Sequence, residues 1–191
     1  PLATVEFAIL DLLGKVAGKS MGQLLGEIHH PQVAIYQANN YRGLSAEESV
    51  KRIKRTVAQN GAKAVKFKVG GRMRQPDRPE GRSKKLIPMM REAFGPEMTI
   101  YADANGAYDV REAIRIGRLL EEHNIDFYEE PVPFDWYEET RQVADALEIP
   151  IAGGEQEPSL RNFRWLIANG ALQICQPDLF YFGGMIRSMR V

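Results

Sequence analysis

Ionisable side chains follow a short apolar run at five places in this sequence. They are Lys66 and Lys68 in "VKFKVG", Asp103 in "YADANGAYD", Glu129 in "YEEPVP", Glu155 in "AGGE" and Asp178 in "QPDLF". Successive groups lie roughly 23–35 residues apart, which is close to the length of one strand–helix unit. Turn chemistry explains an Asn–Gly pair such as Asn105–Gly106, but it does not explain why charged residues recur at matched positions.

Three of these acids are candidate ligands for a divalent cation. Asp103, Glu129 and Glu155 end successive predicted strands, so their carboxylates are expected to lie side by side. Three like charges in a partly buried site repel one another unless a cation neutralises them. Oxygen ligands with room for water suit Mg²⁺ or Mn²⁺. The alternative is three separate surface salt bridges, which explains one such acid better than three.

The two lysines of "VKFKVG" are candidates for proton chemistry. Lys66 and Lys68 are two residues apart on a predicted strand, so both side chains point to the same face of the sheet. Their apolar neighbours indicate a buried strand rather than the exposed face of an edge strand. Because a neighbouring cation lowers the pKa of a lysine, one of the two can act as a general base near neutral pH.

Strand and helix signals alternate along the chain and must position these groups. Strand-like runs are predicted at residues 32–37, 62–70, 98–104, 125–131, 149–155 and 171–178. Helical patterns lie between them, including 46–58 after Ser45 and 110–122. This alternation predicts an α/β fold with a parallel sheet. In a (β/α)₈ barrel the carboxyl ends of the strands meet at one mouth, which is where the recurring charges would gather.

A doubly wound open sheet is the alternative architecture. It usually carries a glycine-rich phosphate loop after its first strand, and "YQANNYRG" is not such a loop. A barrel has eight strands, and six would leave two unpaired edges. We therefore expect about two further βα units beyond the C-terminal end of this sequence.

Composition excludes several classes of partner. The chain has 191 residues, with 25 basic and 25 acidic side chains, and zero net charge argues against nucleic-acid and anionic membrane partners. The single cysteine, Cys175, excludes an internal disulfide and predicts a reducing, cytoplasmic compartment. It lies in the apolar run "ALQIC", which favours inert packing. The apolar opening "FAILDLLGKVAG" lacks a basic leader and predicts a helix with Phe7, Leu10 and Leu13 on one face.

The segments "VKFKVG", "DANGAY", "YEEPVP", "AGGE" and "QPDLFYFGG" together resemble the enolase superfamily, specifically its mandelate racemase and muconate lactonizing enzyme family. The resemblance covers nearly the whole chain, in order and at the right spacing. It implies a modified TIM barrel with one Mg²⁺ held by Asp103, Glu129 and Glu155. It also implies that Lys68 is the base and that Lys66 lies near the substrate carboxylate.

The residue at position 178 distinguishes two branches of this family. In the muconate-lactonizing branch a second catalytic lysine lies on the sixth strand, whereas the mandelate-racemase branch has an Asp there that orients a histidine on the seventh. Asp178 and Glu155 resemble the racemase branch, although Asp178 could also simply cap a turn. The histidines present, His29, His30 and His123, are expected toward the opposite face, so the dyad histidine is expected outside this sequence.

The resemblance implies Mg-dependent removal of the proton α to a carboxylate through an enediolate. We expect dehydration of an acid sugar, an aldonate or aldarate, with Asn105 holding a substrate hydroxyl. The same site could instead serve a racemase or epimerase of a 2-hydroxy acid. Readings from other classes are a Schiff-base TIM-barrel aldolase using Lys66 or Lys68 and a catalytically inactive fragment. The basic loop "GGRMRQPDRPEGRSKK" either recognises a polyhydroxy diacid or is solvated.

The predicted domain organisation follows from the same resemblance. Residues 1–31 are expected to be the tail of an N-terminal capping domain with its linker, and residues 32–191 a partial (β/α) barrel of about six βα units. The predicted partner is a small-molecule carboxylate substrate, with no nucleic acid and no membrane. We also expect a homo-oligomer.

Overall fold

The computed structural model describes residues 2–191 and alternates strands with helices from residue 46 onward. The elements are α1 (Leu2–Ala17), α2 (Met21–Leu25), α3 (Ala46–Asn60), β1 (Ala64–Lys68), α4 (Arg82–Phe94), β2 (Thr99–Asp103), α5 (Val110–Glu122), β3 (Phe127–Glu129), α6 (Tyr137–Ala146), β4 (Ile151–Gly153), α7 (Leu160–Ala168), β5 (Ile174–Cys175) and α8 (Met185–Ser188). This order confirms the predicted α/β fold class.

The strands form one sheet in the order β1-β2-β3-β4-β5, with parallel pairing from β1 through β4. Lys68 is in register with Asp103, and Asp103 with Glu129. Residues in register lie on the same face of a parallel sheet, so these three form one row at the carboxyl ends of three strands. The row two residues earlier contains Lys66, Tyr101 and Phe127.

The structure corrects the prediction of a strand at residues 32–37. It forms only an isolated bridge, between Gln37 and Val65, with two backbone hydrogen bonds of 2.8 and 2.9 Å to β1. Ile35 is 82% exposed. Because no apolar burial holds the run against β1, backbone pairing stops after one residue, and the sheet has five strands instead of the six predicted.

Side-chain caps begin the helices that follow the strand-end loops. The Ser45 hydroxyl accepts a hydrogen bond from the N–H of Glu48 at 3.2 Å, and the Asp109 carboxylate accepts one from Glu112 at 2.9 Å. Both caps satisfy N–H groups that have no partner within the helix. α5 therefore begins and ends where the sequence predicted, and α3 runs two residues longer than predicted.

The face of the sheet opposite the charged row is apolar. Its central residues are fully buried: Val65, Phe67, Ile100, Ala102 and Tyr128. Ile53 of α3, Leu86 of α4 and Leu120 of α5 are also buried. Burial of a Val, Leu, Ile or Phe side chain contributes roughly 1.5–3 kcal/mol relative to exposure to water. The core therefore fixes the strands from one side, while their other face carries the charged residues together with Tyr101 and Phe127.

The chain divides into two compact units. One comprises the described residues up to Ala34 together with Gly154–Trp165 and Cys175–Val191, and the other comprises Ile35–Gly153 and Leu166–Ile174. The domain boundary expected at residues 31 and 32 stays a prediction. None of the helices described between residues 2 and 191 has the length and hydrophobicity needed to cross a bilayer.

In the first unit, α1 buries a narrower face than predicted. Leu10 is buried and the ring of Phe7 packs edge-on against Phe180, with centroids 5.1 Å apart. Leu13 is 50% exposed, which corrects the expected three-residue face. Gly14 occupies the buried position instead, because the carbonyl of Lys19 approaches too closely for a side chain there.

Candidate active site

The charged row at the ends of β1, β2 and β3 is a compact cluster of alternating charges. Asp103 and Glu129 are buried, with 0% and 1% of their surface exposed. The Lys66 Nζ atom lies 2.6 Å from a Glu129 carboxylate oxygen and 3.7 Å from Asp103. The Lys68 Nζ atom contacts the same Asp103 oxygen. Four of the predicted site residues thus lie together on one face of the sheet: Lys66, Lys68, Asp103 and Glu129. Each is at or near the carboxyl end of its strand.

The environment of Lys66 keeps its amine protonated. Burial alone lowers the pKa of Lys66, but the charge and hydrogen bond of Glu129 and the charge of Asp103 raise it above its ordinary value. The Nζ atom also lies 5.0 Å from the centre of the Tyr36 ring, where the ring attracts a cation. Lys66 is therefore suited to stabilising negative charge on a ligand.

Aromatic rings lie directly beneath the charged row. Tyr101 and Phe127 stack at 4.0 Å with their planes 7° apart, and Tyr36 packs edge-on against Tyr101 at 5.4 Å. The strand register places Tyr101 and Phe127 two residues before Asp103 and Glu129 on the same face, so apolar rings lower the effective dielectric constant beside the cluster. Charge interactions in the cluster are stronger for that reason than they would be in solvent.

Asn105 joins the cluster from the loop after β2. Its side-chain oxygen accepts hydrogen bonds from Lys68 Nζ at 3.0 Å and from Arg42 Nη2 at 2.8 Å. Its side-chain nitrogen donates to Glu130 at 3.3 Å, and its backbone N–H donates to the Asp103 carboxylate at 2.8 Å. The Asn105 backbone has a φ of 43°, a conformation that Asn tolerates better than most residues. Its predicted contact with a substrate hydroxyl stays a prediction.

Gly106 continues this turn and offers a test of its geometry. Its φ is 68°, and a Cβ atom there would lie 2.9 Å from Pro133 Cα. We expect Gly106→Ala to lower the free energy of unfolding by about 1–3 kcal/mol, measured by urea denaturation. Gly61→Ala is the control, because Gly61 has a φ of 66° but no described heavy atom within 4 Å of its Cβ position. Equal losses in the two variants would contradict the steric argument.

Arg82 holds the end of β1, the strand that carries both lysines, through backbone hydrogen bonds. Its buried guanidinium donates to the carbonyl oxygens of Leu44, Lys68 and Tyr41 at 2.8, 2.9 and 2.6 Å. It also donates to the Ser49 hydroxyl at 3.1 Å. Burial lowers the pKa of Arg82. One side chain at the start of α4 therefore fixes both the end of β1 and the loop that precedes α3.

Glu155 and Asp178 belong to the first of the two compact units. Glu155 is half-buried in the turn that follows β4. An oxygen of the Asp178 carboxylate accepts hydrogen bonds from the N–H groups of Phe180 and Tyr181 at 2.8 and 3.0 Å. Asp178 therefore caps a turn, which the sequence analysis gave as the alternative to a role in orienting a histidine. Cys175 is half-buried and burial raises the pKa of its thiol, in line with inert packing.

The donor chemistry of the cluster fits a hard divalent cation. Asp103 and Glu129 supply buried carboxylate oxygens at positions that are in register on neighbouring strands. Within residues 2–191, however, no group of three or more His, Cys, Asp and Glu side chains could hold a metal ion. The three-ligand site that includes Glu155 stays a prediction.

Three residues of this site were missed by the sequence reasoning: Tyr36, Arg42 and Arg82. Arg42 lies five residues after the strand-like run 32–37, whereas the recognised acids lie within their runs, so its position did not match theirs. No local pattern marks Arg82, because its acceptors lie 14 to 41 residues away in the chain.

Parallel strands that alternate with helices and carry acids and lysines at their carboxyl ends define a TIM-barrel-like α/β domain. The chain belongs to the Enolase C-terminal domain-like family, whose family model matches residues 48–191. This finding confirms the fold and the superfamily predicted from the motifs.

Named relatives agree with that family. Arabinonate dehydratase from Saccharolobus solfataricus is 29% identical over 190 residues, which are 100% of this chain and 49% of that protein. L-talarate/galactarate dehydratase from Salmonella typhimurium, liganded with Mg and L-lyxarohydroxamate, is 31% identical with a TM-score of 0.86, covering 99% of this chain and 46% of that one. A mandelate racemase/muconate lactonizing protein from Paracoccus denitrificans, complexed with magnesium, is 32% identical with a TM-score of 0.87. The match covers 96% of this chain and 49% of that one. The chain spans about half the length of these relatives.

Proposed function

We propose that this chain carries the base, a charge-stabilising lysine and two metal-binding carboxylates of an enzyme that dehydrates an acid sugar. The observation that carries the proposal is the charged cluster in which Lys66 contacts the buried Glu129 and Lys68 contacts the buried Asp103. The names of two relatives, an arabinonate dehydratase and an L-talarate/galactarate dehydratase, support acid sugars as the substrate class.

Asp103 and Glu129, together with Glu155, would hold Mg²⁺, which when bound supplies positive charge that makes the α-proton of a carboxylate more acidic. Lys66 pairs with the substrate carboxylate and stabilises the negative charge that develops on it as the α-carbon loses its proton. Lys68, in its neutral form, accepts that proton. The electron pair of the former C–H bond then forms a double bond to the β-carbon and expels the β-hydroxyl group, which leaves as water after protonation. The resulting enol tautomerises to a 2-keto acid.

The test uses the full-length protein with Mg²⁺ and a panel of acid sugars in D₂O. We expect proton NMR to show loss of the α-proton signal and formation of a 2-keto acid, and we expect EDTA to abolish both. Failure of every acid sugar to exchange its α-proton, or activity that survives chelation, would refute the proposal. Exchange with inversion of configuration and no keto acid would assign the site to an epimerase.

The Schiff-base aldolase reading makes a different prediction. It requires a covalent bond between a lysine amine and a substrate carbonyl carbon, whereas the proposed chemistry needs only proton transfer at Lys68 and charge pairing at Lys66. Borohydride treatment with a keto substrate should therefore leave the mass of the protein unchanged. A stable mass increase on Lys66 or Lys68 would favour the aldolase instead.

The role of Asp178 is tested by Asp178→Asn in the full-length protein. Asn keeps the oxygen that accepts the N–H groups of Phe180 and Tyr181 but removes the negative charge. If Asp178 orients a histidine of the parent protein, turnover should fall about 10²–10⁴-fold while Mg²⁺ affinity stays within about twofold. Steady-state kinetics and a Mg²⁺ titration measure the two effects, and an unchanged melting temperature shows that the turn is intact. Unchanged turnover would leave only the turn cap, and a large loss of Mg²⁺ affinity would make Asp178 a ligand.

A further inference from the structure

A pocket of about 180 Å³ adjoins the charged cluster and is lined by three arginines: Arg42, Arg72 and Arg78. Its remaining lining residues are glycines, a glutamine and a proline, and among these described residues there is no acid. Guanidinium groups on one concave surface create a positive potential that favours a carboxylate or phosphate group. The pocket is therefore chemically suited to an anion.

Arg42 is held in place before any ligand arrives. Its Nη2 atom donates to the Asn105 side chain at 2.8 Å and to the Asp103 carbonyl at 3.4 Å, and its Nη1 atom donates to Asn40 at 3.2 Å. Arg82 donates to the carbonyl group of the preceding residue at 2.6 Å and so fixes the loop. A side chain that is already ordered loses little entropy on binding.

Arg72 and Arg78 lie in the basic loop after β1 and are exposed. Within residues 2–191 neither of these two guanidinium groups forms an ion pair. The nearest acid in sequence, Asp77, is engaged by Ser83, whose N–H and hydroxyl groups each donate to it at 2.7 Å. The charge of both arginines is therefore available to a ligand.

The pocket is linked to the base through one amide. The side-chain oxygen of Asn105 accepts hydrogen bonds from Lys68 at 3.0 Å and from Arg42 at 2.8 Å. A ligand whose α-carbon lies at Lys68 would therefore extend toward the arginines with the rest of its chain. A carboxylate at the far end would meet forked N–H donors that match its geometry.

We propose that this arginine pocket binds the second carboxylate of a diacid substrate, so that the acid sugar is an aldarate and not an aldonate. The inference rests on the proposed function and narrows its substrate class. An aldonate would place a neutral hydroxyl group at the pocket, which forms weaker hydrogen bonds with a guanidinium than a carboxylate does.

The experiment compares binding of galactarate, galactonate and inorganic phosphate to the full-length protein with Mg²⁺ by isothermal titration calorimetry. The double variant Arg72→Met/Arg78→Met should weaken galactarate binding about 30-fold or more and change galactonate binding less than about threefold. Arg42 is left intact because it also contacts Asn105. The control is Arg74→Met on the same loop, since the Arg74 guanidinium lies 5.1 Å from the Trp136 ring and outside the pocket lining.

Equal weakening for both acids, or no weakening, would overturn the proposal. Phosphate that binds as tightly as galactarate and loses affinity in the same variant would assign the pocket to a phosphorylated ligand, which also overturns it. The proposed function is judged separately by α-proton exchange in D₂O. Arginine-dependent galactarate binding without exchange would refute the proton chemistry and support the diacid pocket.

Discussion

Replacing Lys68 with methionine is expected to lower turnover of the full-length enzyme by about 10²–10⁴-fold. Met keeps the apolar stem but removes the amine that contacts Asp103 and lies 3.0 Å from the Asn105 oxygen. In the proposed function that amine is the group that accepts the α-proton. The measurement is single-turnover kinetics together with α-proton exchange in D₂O.

Lys68→Arg is the matched control for charge. Arginine restores a cation beside Asp103 but stays protonated at any working pH, so the variant should keep Mg²⁺ affinity and remain inactive. Lys66→Met should behave differently, because it removes the cation that pairs with Glu129 at 2.6 Å and is expected to weaken substrate binding as well as turnover. Normal exchange by Lys68→Met would remove Lys68 from the mechanism.

Arg82→Met is expected to lower the free energy of unfolding by about 3–5 kcal/mol, the largest effect on stability that we predict. The substitution leaves the carbonyl oxygens of Leu44, Lys68 and Tyr41, three half-buried residues, without their donor. An acceptor that is shielded from water and loses its hydrogen bond costs about 1–3 kcal/mol, and partial exposure places each of these three near the lower end of that range. Urea denaturation of the full-length protein measures the loss.

Arg82→Lys separates charge from geometry. Lysine carries the same charge, but a single ammonium cannot reach three carbonyl groups in the directions that the planar guanidinium serves, so it should recover less than half of the lost stability. A loss below about 1 kcal/mol in Arg82→Met would contradict this account and indicate that water replaces the guanidinium. Since the same side chain fixes the loop that carries Arg42, Arg82→Lys is also expected to raise KM for a diacid more than it lowers kcat.

Local pattern was enough to predict which residues share a face. Lys66 and Lys68 are two residues apart on β1, and a strand alternates its side chains with that period, so their common direction followed from the sequence. The predicted helix 110–122 likewise matches α5, whose cap is local, because Asp109 accepts a hydrogen bond from an N–H group only three residues away. The recurrence of acids after successive strands likewise predicted that they gather at one edge of a parallel sheet.

Tertiary structure decided which of those groups meet and what holds them. Lys66 and Glu129 are 63 residues apart in the chain, and their ion pair depends on strand register and on the packing of the opposite, apolar face. Residues 32–37 have a strand pattern, yet they pair at one residue, because pairing needs a buried face as well as propensity. Arg42 and Arg82 act through acceptors in other elements, and such contacts leave no periodic trace in the sequence because they are made only when those elements pack together.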